Sequence, residues 1–222
     1  MIAALHLAVG TVAVVAGFMA MFAKKGTQIH NRAGTAFVIS IVLLSLSGFY
    51  LSYARDLQFT FLLSAIALYL VLTGWMAAKY SPVKDGGTYV TFFDKAGLVF
   101  IALFVSGCFL VSYLGVRLGW AYPATEPAYE AYAFMGGIGL MFLVGDVNYV
   151  RAGRAAASIK LKRHLTRMCS TMLIATTIFF LGNNHVLPEF LRGTPILLIP
   201  ILTVAAFMLI YRVGFERLGF KI

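Results

Sequence analysis

Residues 96–116, AGLVFIALFVSGCFLVSYLGV, run for 21 positions without a charged side chain, closed off by Asp94 and Lys95 before and by Arg117 after. Roughly 20 consecutive apolar residues suffice for a helix to cross a hydrocarbon core of about 30 Å. This stretch therefore reads as one transmembrane helix, with its span placed at residues 92–116. The same pattern recurs at 2–23, 33–54, 57–78, 129–150, 165–187 and 194–212. The sequence thus predicts an all-α polytopic membrane protein of seven helices. Composition agrees: of 222 residues, 61% are apolar and 12% charged, against roughly 45–50% and 25% in ordinary soluble domains. A water-soluble globule is excluded. The connections are short and no internal repeat stands out, so residues 1–222 are read as a single transmembrane helical domain. The opening stretch from Met1 to His6 lacks the basic region of a signal peptide. It is expected to be a retained first helix.

The net charge of +10 comes from 18 Lys and Arg against 8 Asp and Glu. Only Arg55, Arg117 and Arg192 fall on one side of the seven spans, and the other 15 basic residues fall on the opposite side. By the positive-inside rule this predicts the N-terminus outside and the C-terminus inside. The basic loops are then suited to anionic lipid head groups, and nucleic-acid binding is not supported. Tyr113, Trp120, Tyr122, Tyr129 and Tyr132 supply an aromatic belt at the outer interface, and Trp75, Tyr80, Tyr89 and Tyr149 one at the inner. Cys108 and Cys169 both lie within apolar spans and read as small buried hydrophobes.

The four histidines distribute in two layers. His6 and His185 fall near the outer face, whereas His30 and His164 open helices 2 and 6 near the inner face. Imidazoles on separate helices facing one cavity can hold a haem iron from both axial sides. His164 and His185 are 21 residues apart, about 31 Å along a helix, so one cofactor cannot use both. The small residues at helical spacing from His6 (Gly10, Ala13, Gly17, Ala20) would admit a flat cofactor, but close helix packing is their commoner use. His185 is also explained by helix termination before Pro188, leaving the outer pair as interfacial polar residues or as ligands. The inner layer adds Asp94 and Asp146. Ionisable groups at such depth are costly unless paired, and each is a candidate for function. His30, His164, Asp146 and Asp94 could make a mixed nitrogen and oxygen site for a divalent metal such as zinc, with a polarised water. Equally, Asp146 could pair with Arg167 or Arg151, and Asp94 with Lys95 or Lys84.

No glycine-rich phosphate loop, nucleophile elbow or paired-histidine zinc motif is present. The segment Lys25-Gly26-Thr27-Gln28-Ile29-His30-Asn31-Arg32-Ala33-Gly34, together with Tyr69-Leu70-Val71-Leu72-Thr73-Gly74-Trp75 and Arg163-His164-Leu165-Thr166-Arg167-Met168-Cys169, resembles a bacterial family of predicted multi-pass membrane proteins of unknown function. The resemblance implies a bacterial-type plasma (inner) membrane location and points to His6, His30 and His164. It implies no activity.

Three functional expectations follow from the residues. The leading one is a b-type haem held through histidines, in the inner layer first, exchanging electrons with a quinone or another membrane redox partner. The second is a metal-dependent intramembrane hydrolase or transferase at the cytoplasmic face, using His30, Asp146 and His164. The third is a non-catalytic membrane subunit, assembly factor or permeation protein in which the polar groups only pair.

Overall fold

A computed structural model of the chain describes residues 2–79, 87–119, 128–182, 188–193 and 195–217. It contains seven helices long and apolar enough to span a bilayer. They are α1 (Ile2–Phe22), α2 (Gln28–Arg55), α3 (Gln58–Lys79), α4 (Phe92–Leu118), α5 (Tyr129–Arg151), α6 (Ala157–Thr177) and α7 (Leu198–Arg217). A π-helical turn, Ile178–Gly182, continues α6. The protein is an integral membrane protein by this architecture.

Helix boundaries follow capping chemistry as well as hydropathy. The apolar run of the second span begins near residue 33, yet α2 starts at Gln28 because the Thr27 hydroxyl accepts from the His30 amide, supplying one of the partners that a helix start otherwise lacks. Thr91 and Asp94 form a reciprocal capping box at the start of α4. The largest departure is α6, which begins at Ala157 and not near residue 165. Its first two turns are rich in Lys and Arg, which hydropathy alone discards. His164 consequently lies within the helix instead of opening it. Just ahead of α6, residues Arg154–Ala156 pair antiparallel with Gly87–Tyr89, tying the α3–α4 connection to the α5–α6 connection.

The axis of the bundle is α3. Half of its span is buried, against 11% for α7, and it joins the two packed cores. One core unites Ala13, Val14, Phe37, Ile41, Val71, Met172 and Val204 from α1, α2, α3, α6 and α7. The other unites Ile66, Leu70, Ile101, Phe104, Val105, Cys108 and Met135 from α3, α4 and α5. Large apolar side chains such as Leu103, Phe134, Met141 and Ile210 are exposed on the outer faces, where acyl chains solvate them at no cost.

Close approach of α4 and α5 depends on glycine. A Cβ at Gly139 would lie 2.9 Å from Val105 Cγ2 and 3.3 Å from Phe104 Cδ1, whereas one at Gly137 would meet nothing within 4 Å. Small residues of this kind let transmembrane backbones pack where no hydrophobic drive between helices exists. Gly139→Leu is expected to cost about 1–3 kcal/mol by overpacking and Gly137→Leu under about 0.5 kcal/mol. Thermal unfolding of the detergent-solubilised proteins compares the two.

Candidate functional site

Two polar assemblies sit at the end of the bundle where α1 and α3 finish and α2, α4 and α6 begin. The first is a closed ion-pair network in which, among its charged groups, Arg163 Nε is left without a hydrogen-bond partner. The second is open.

The closed assembly centres on Asp146 of α5, whose side chain is 1% exposed. Its Oδ2 accepts from the Tyr69 hydroxyl of α3 at 2.6 Å. Its Oδ1 accepts from Arg163 Nη2 at 3.1 Å and from Arg167 Nη2, both on α6. Arg167 also donates to the Thr73 hydroxyl, which in turn donates to the Tyr69 carbonyl at 2.5 Å. Arg163 extends the network to Asp94 Oδ1 at 2.5 Å. The other oxygen, Oδ2, is engaged by the Thr91 amide and hydroxyl at 2.9 and 2.7 Å. The two guanidiniums lie over aromatic faces, Arg163 at 4.2 Å from the Tyr149 ring centre and Arg167 at 4.9 Å from that of Tyr69. Two carboxylates and two guanidiniums thus neutralise one another while joining α3, α4, α5 and α6.

This arrangement answers the alternatives left by the sequence. Asp146 meets Arg167, one of the two partners considered, and also Arg163. Asp94 meets Arg163 and not Lys95; Lys84 lies outside the described residues. Arg163 is the functional residue that sequence reading missed. Its signal was the i, i+4 spacing to Arg167, which puts both guanidiniums on one face of α6. With the oxygens of both aspartates committed, His30, His164, Asp146 and Asp94 do not converge as one ligand set. Among the described residues, no group of three or more His, Cys, Asp and Glu side chains is arranged to hold a metal ion.

The open assembly is a cavity of about 590 Å³ between α1, α2, α3, α6 and α7. Both inner histidines line it, with Phe37, Trp75, Met168, Met172 and Phe207 among its walls. His30 Nδ1 lies 2.9 Å from the Ala20 carbonyl of α1, and His164 Nδ1 lies 2.9 Å from the Gly74 carbonyl of α3. A carbonyl oxygen can only accept, so Nδ1 carries the proton in each ring. Among the described residues neither Nε2 has a hydrogen-bond partner. His164 also lies within electrostatic range of His30 and of Lys25. Glycine matters here too. A Cβ at Gly74 would lie 3.0 Å from Arg167 Cβ, so its absence lets α6 approach the carbonyl that orients His164.

Lys25, in the turn between α1 and α2, closes the end of α1. Its Nζ donates to the Met21 carbonyl and, at 3.2 Å, to Ala20, and it lies 5.0 Å from the Phe207 ring centre of α7. Burial lowers its pKa below the usual lysine range, and the nearby Cys169 offsets part of that shift.

Of the outer histidines, His6 is placed apart from this cavity. His6 Nδ1 lies 2.7 Å from the Ser47 hydroxyl. Ser47 is 17 residues beyond His30 on α2, about 26 Å along the helix. His185 lies outside the described residues. No protein-family model, curated protein or solved structure matches the chain.

Removing one member of a buried, hydrogen-bonded ion cluster strands the others, typically at about 3–5 kcal/mol. Asp146→Ala is therefore expected to destabilise the bundle by about that much, leaving Arg167 and Arg163 with an uncompensated charge. Unfolding in mixed micelles measures the loss, and a double-mutant cycle with Arg167→Met should recover part of it.

Proposed function

We propose that this integral membrane protein binds a haem b between His30 and His164 at its cytoplasmic end and exchanges electrons with a membrane quinone. One observation carries the reading: two imidazoles from different helices line the same largely apolar cavity, each with Nδ1–H donated to a backbone carbonyl. That second bond is the usual companion of a metal-ligating histidine, fixing the tautomer and aiming the ring. In the neutral ring it leaves a lone pair on each Nε2, which a haem iron would require of its ligands. The cavity volume of about 590 Å³ falls within the range of cofactor sites, roughly 300–1,000 Å³.

Bound haem supplies one-electron redox chemistry. The chain's own contribution is to orient both imidazoles through the Ala20 and Gly74 carbonyls and to surround the site with the apolar walls of Phe37, Trp75, Met172 and Phe207. Asp94 and Asp146 stay bound to arginines and take no part as ligands.

Protein purified from haem-replete cells is expected to show a Soret band with the narrow visible bands of six-coordinate, two-histidine iron. His30→Ala or His164→Ala should each reduce haem content roughly tenfold or more, while His6→Ala retains it. A colourless wild-type preparation, or full haem content in both inner-histidine variants, would rule the reading out.

The cytoplasmic assignment rests on the basic loops, with the N-terminus outside. In intact cells, a membrane-impermeant maleimide is expected to label Arg192→Cys and to spare Lys24→Cys until the membrane is opened. The opposite labelling pattern would invert the orientation.

A further inference from the structure

The cavity is exposed on one side only. Gly26, Asn31, Thr35, Ala78 and Lys79 are its exposed lining residues, and apart from Gly26, in the turn before α2, all of them belong to α2 and α3. Among the described residues, the walls from α1, α6 and α7 present none. Between α1 and α7 the cavity is shut by rings. Phe22 meets Phe207 edge-on at 6.4 Å, and the Lys25 ammonium lies 5.0 Å from the Phe207 ring centre and 5.7 Å from that of Tyr211. Between α2 and α3 the side chains are small. Gly48 of α2 packs on Ser64 of α3, and 14 residues from that contact along each helix stand Gly34 and Ala78, which are therefore level. A Cβ at Gly48 would lie 2.2 Å from Ser64 Oγ, whereas one at Gly34 would meet nothing within 4 Å. The two helices thus touch at Gly48 and leave a slot at Gly34.

The depth of the slot decides what it opens to. Thr35 lies seven residues past the start of α2, about 10 Å along its axis. One turn deeper on α2, Ile39 is 55% exposed, and two turns deeper than Lys79 on α3, Leu72 is 37% exposed. Exposed apolar side chains on spanning helices face acyl chains, so the deep edge of the slot borders lipid, while Asn31 and Lys79 mark the head-group level. We propose that the slot between α2 and α3 is a lateral portal, through which a ligand with a broad apolar body enters the cavity from the bilayer leaflet at the basic end. Gly34 is its threshold. The naming of that ligand as haem b rests on the reading above, whereas the route rests on the slot alone. A larger side chain at Gly34 fills the slot without a clash and raises helix propensity, so obstruction can be separated from misfolding.

The probe is the dimethyl ester of metal-free protoporphyrin IX, which is uncharged and cannot use axial ligands. It is added to phosphatidylcholine vesicles holding full-length protein purified without haem supplementation. Energy transfer from Trp75, the single tryptophan in a Trp120→Phe background, follows loading of the cavity that Trp75 lines. Gly34→Leu is expected to slow loading at least about tenfold, the factor that an added barrier of about 1.4 kcal/mol gives, without lowering the unfolding temperature. Gly137→Leu, at an equally open position on α5, should load at the wild-type rate. Equal rates for the wild type and Gly34→Leu, or no loading of the wild type, overturn the portal. Faster loading of Phe207→Ala with no effect of Gly34→Leu places entry between α1 and α7 and also overturns it. Nitroxides attached at Thr35→Cys and Ala78→Cys should relax more with dissolved oxygen than with a water-soluble nickel chelate. The reverse at both positions puts the mouth in water and discards the bilayer route without any ligand. Failure of the haem reading looks different: slot-dependent porphyrin loading persists while iron protoporphyrin acquires no two-histidine spectrum. Conversely, a two-histidine spectrum that forms equally fast in the wild type and Gly34→Leu keeps the haem and discards the portal.

Discussion

The Asp146 carboxylate, bonded to Tyr69 on one helix and to Arg163 and Arg167 on another, is the contact on which the arrangement of the bundle turns. In a bilayer the hydrophobic effect inserts each helix but does little to choose its neighbours, because acyl chains are as apolar as leucine. Specific arrangement must come from packing shape and from polar groups with no other partner within reach. An ionised carboxylate at 1% exposure is the most demanding of these. Only a geometry that brings α3, α5 and α6 together satisfies it. Extension through Arg163 to Asp94 then draws the start of α4 into the same unit.

That unit also determines what His164 can do. His164 stands one residue from Arg163 and three from Arg167, so the contacts that press α6 against α3 also deliver the Gly74 carbonyl to the imidazole. The polar groups thereby divide into two kinds. Those of the ion cluster are bonded to one another, with both aspartates' oxygens engaged, and serve to hold helices. The two inner imidazoles each have one nitrogen consumed and one left over, and that remainder separates a binding group from a structural one. A lysine at the end of α1 shares the Ala20 carbonyl with His30, so the second imidazole is oriented by the same kind of device as the first.

Much of this was legible in the sequence, and what was not has identifiable physical causes. Spans are set by a length of apolar chain against a fixed hydrocarbon thickness, and so the seven helices could be counted directly. The start of α6 could not be read that way. Lys160 and Arg163 look like loop residues by hydropathy, yet they are helical, with the charge of Arg163 matched by aspartates from α4 and α5. Matching of that kind is a tertiary fact. The sequence likewise placed His30 and His164 in one layer from their positions along the helices, but it carried no information on rotation about the helix axes, which decides whether they share a cavity. Conversely, the proposed four-residue metal set joined side chains that were close in depth but differed in what surrounded them. The three-residue ladder between Gly87–Tyr89 and Arg154–Ala156 was invisible because so short a run has no periodicity.

The tautomer argument reaches further than identification of a ligand. A neutral imidazole with its proton fixed on Nδ1 presents only an acceptor at Nε2, so in that form the two histidines offer lone pairs to the cavity. They ask a ligand for an electron-pair acceptor set within apolar surface. Few small molecules combine a Lewis-acidic centre with a broad apolar body. A metalloporphyrin does, whereas a quinone or a phospholipid lacks the Lewis acid. The proposed haem site therefore rests on the two histidine Nε2 atoms and the apolar walls around them.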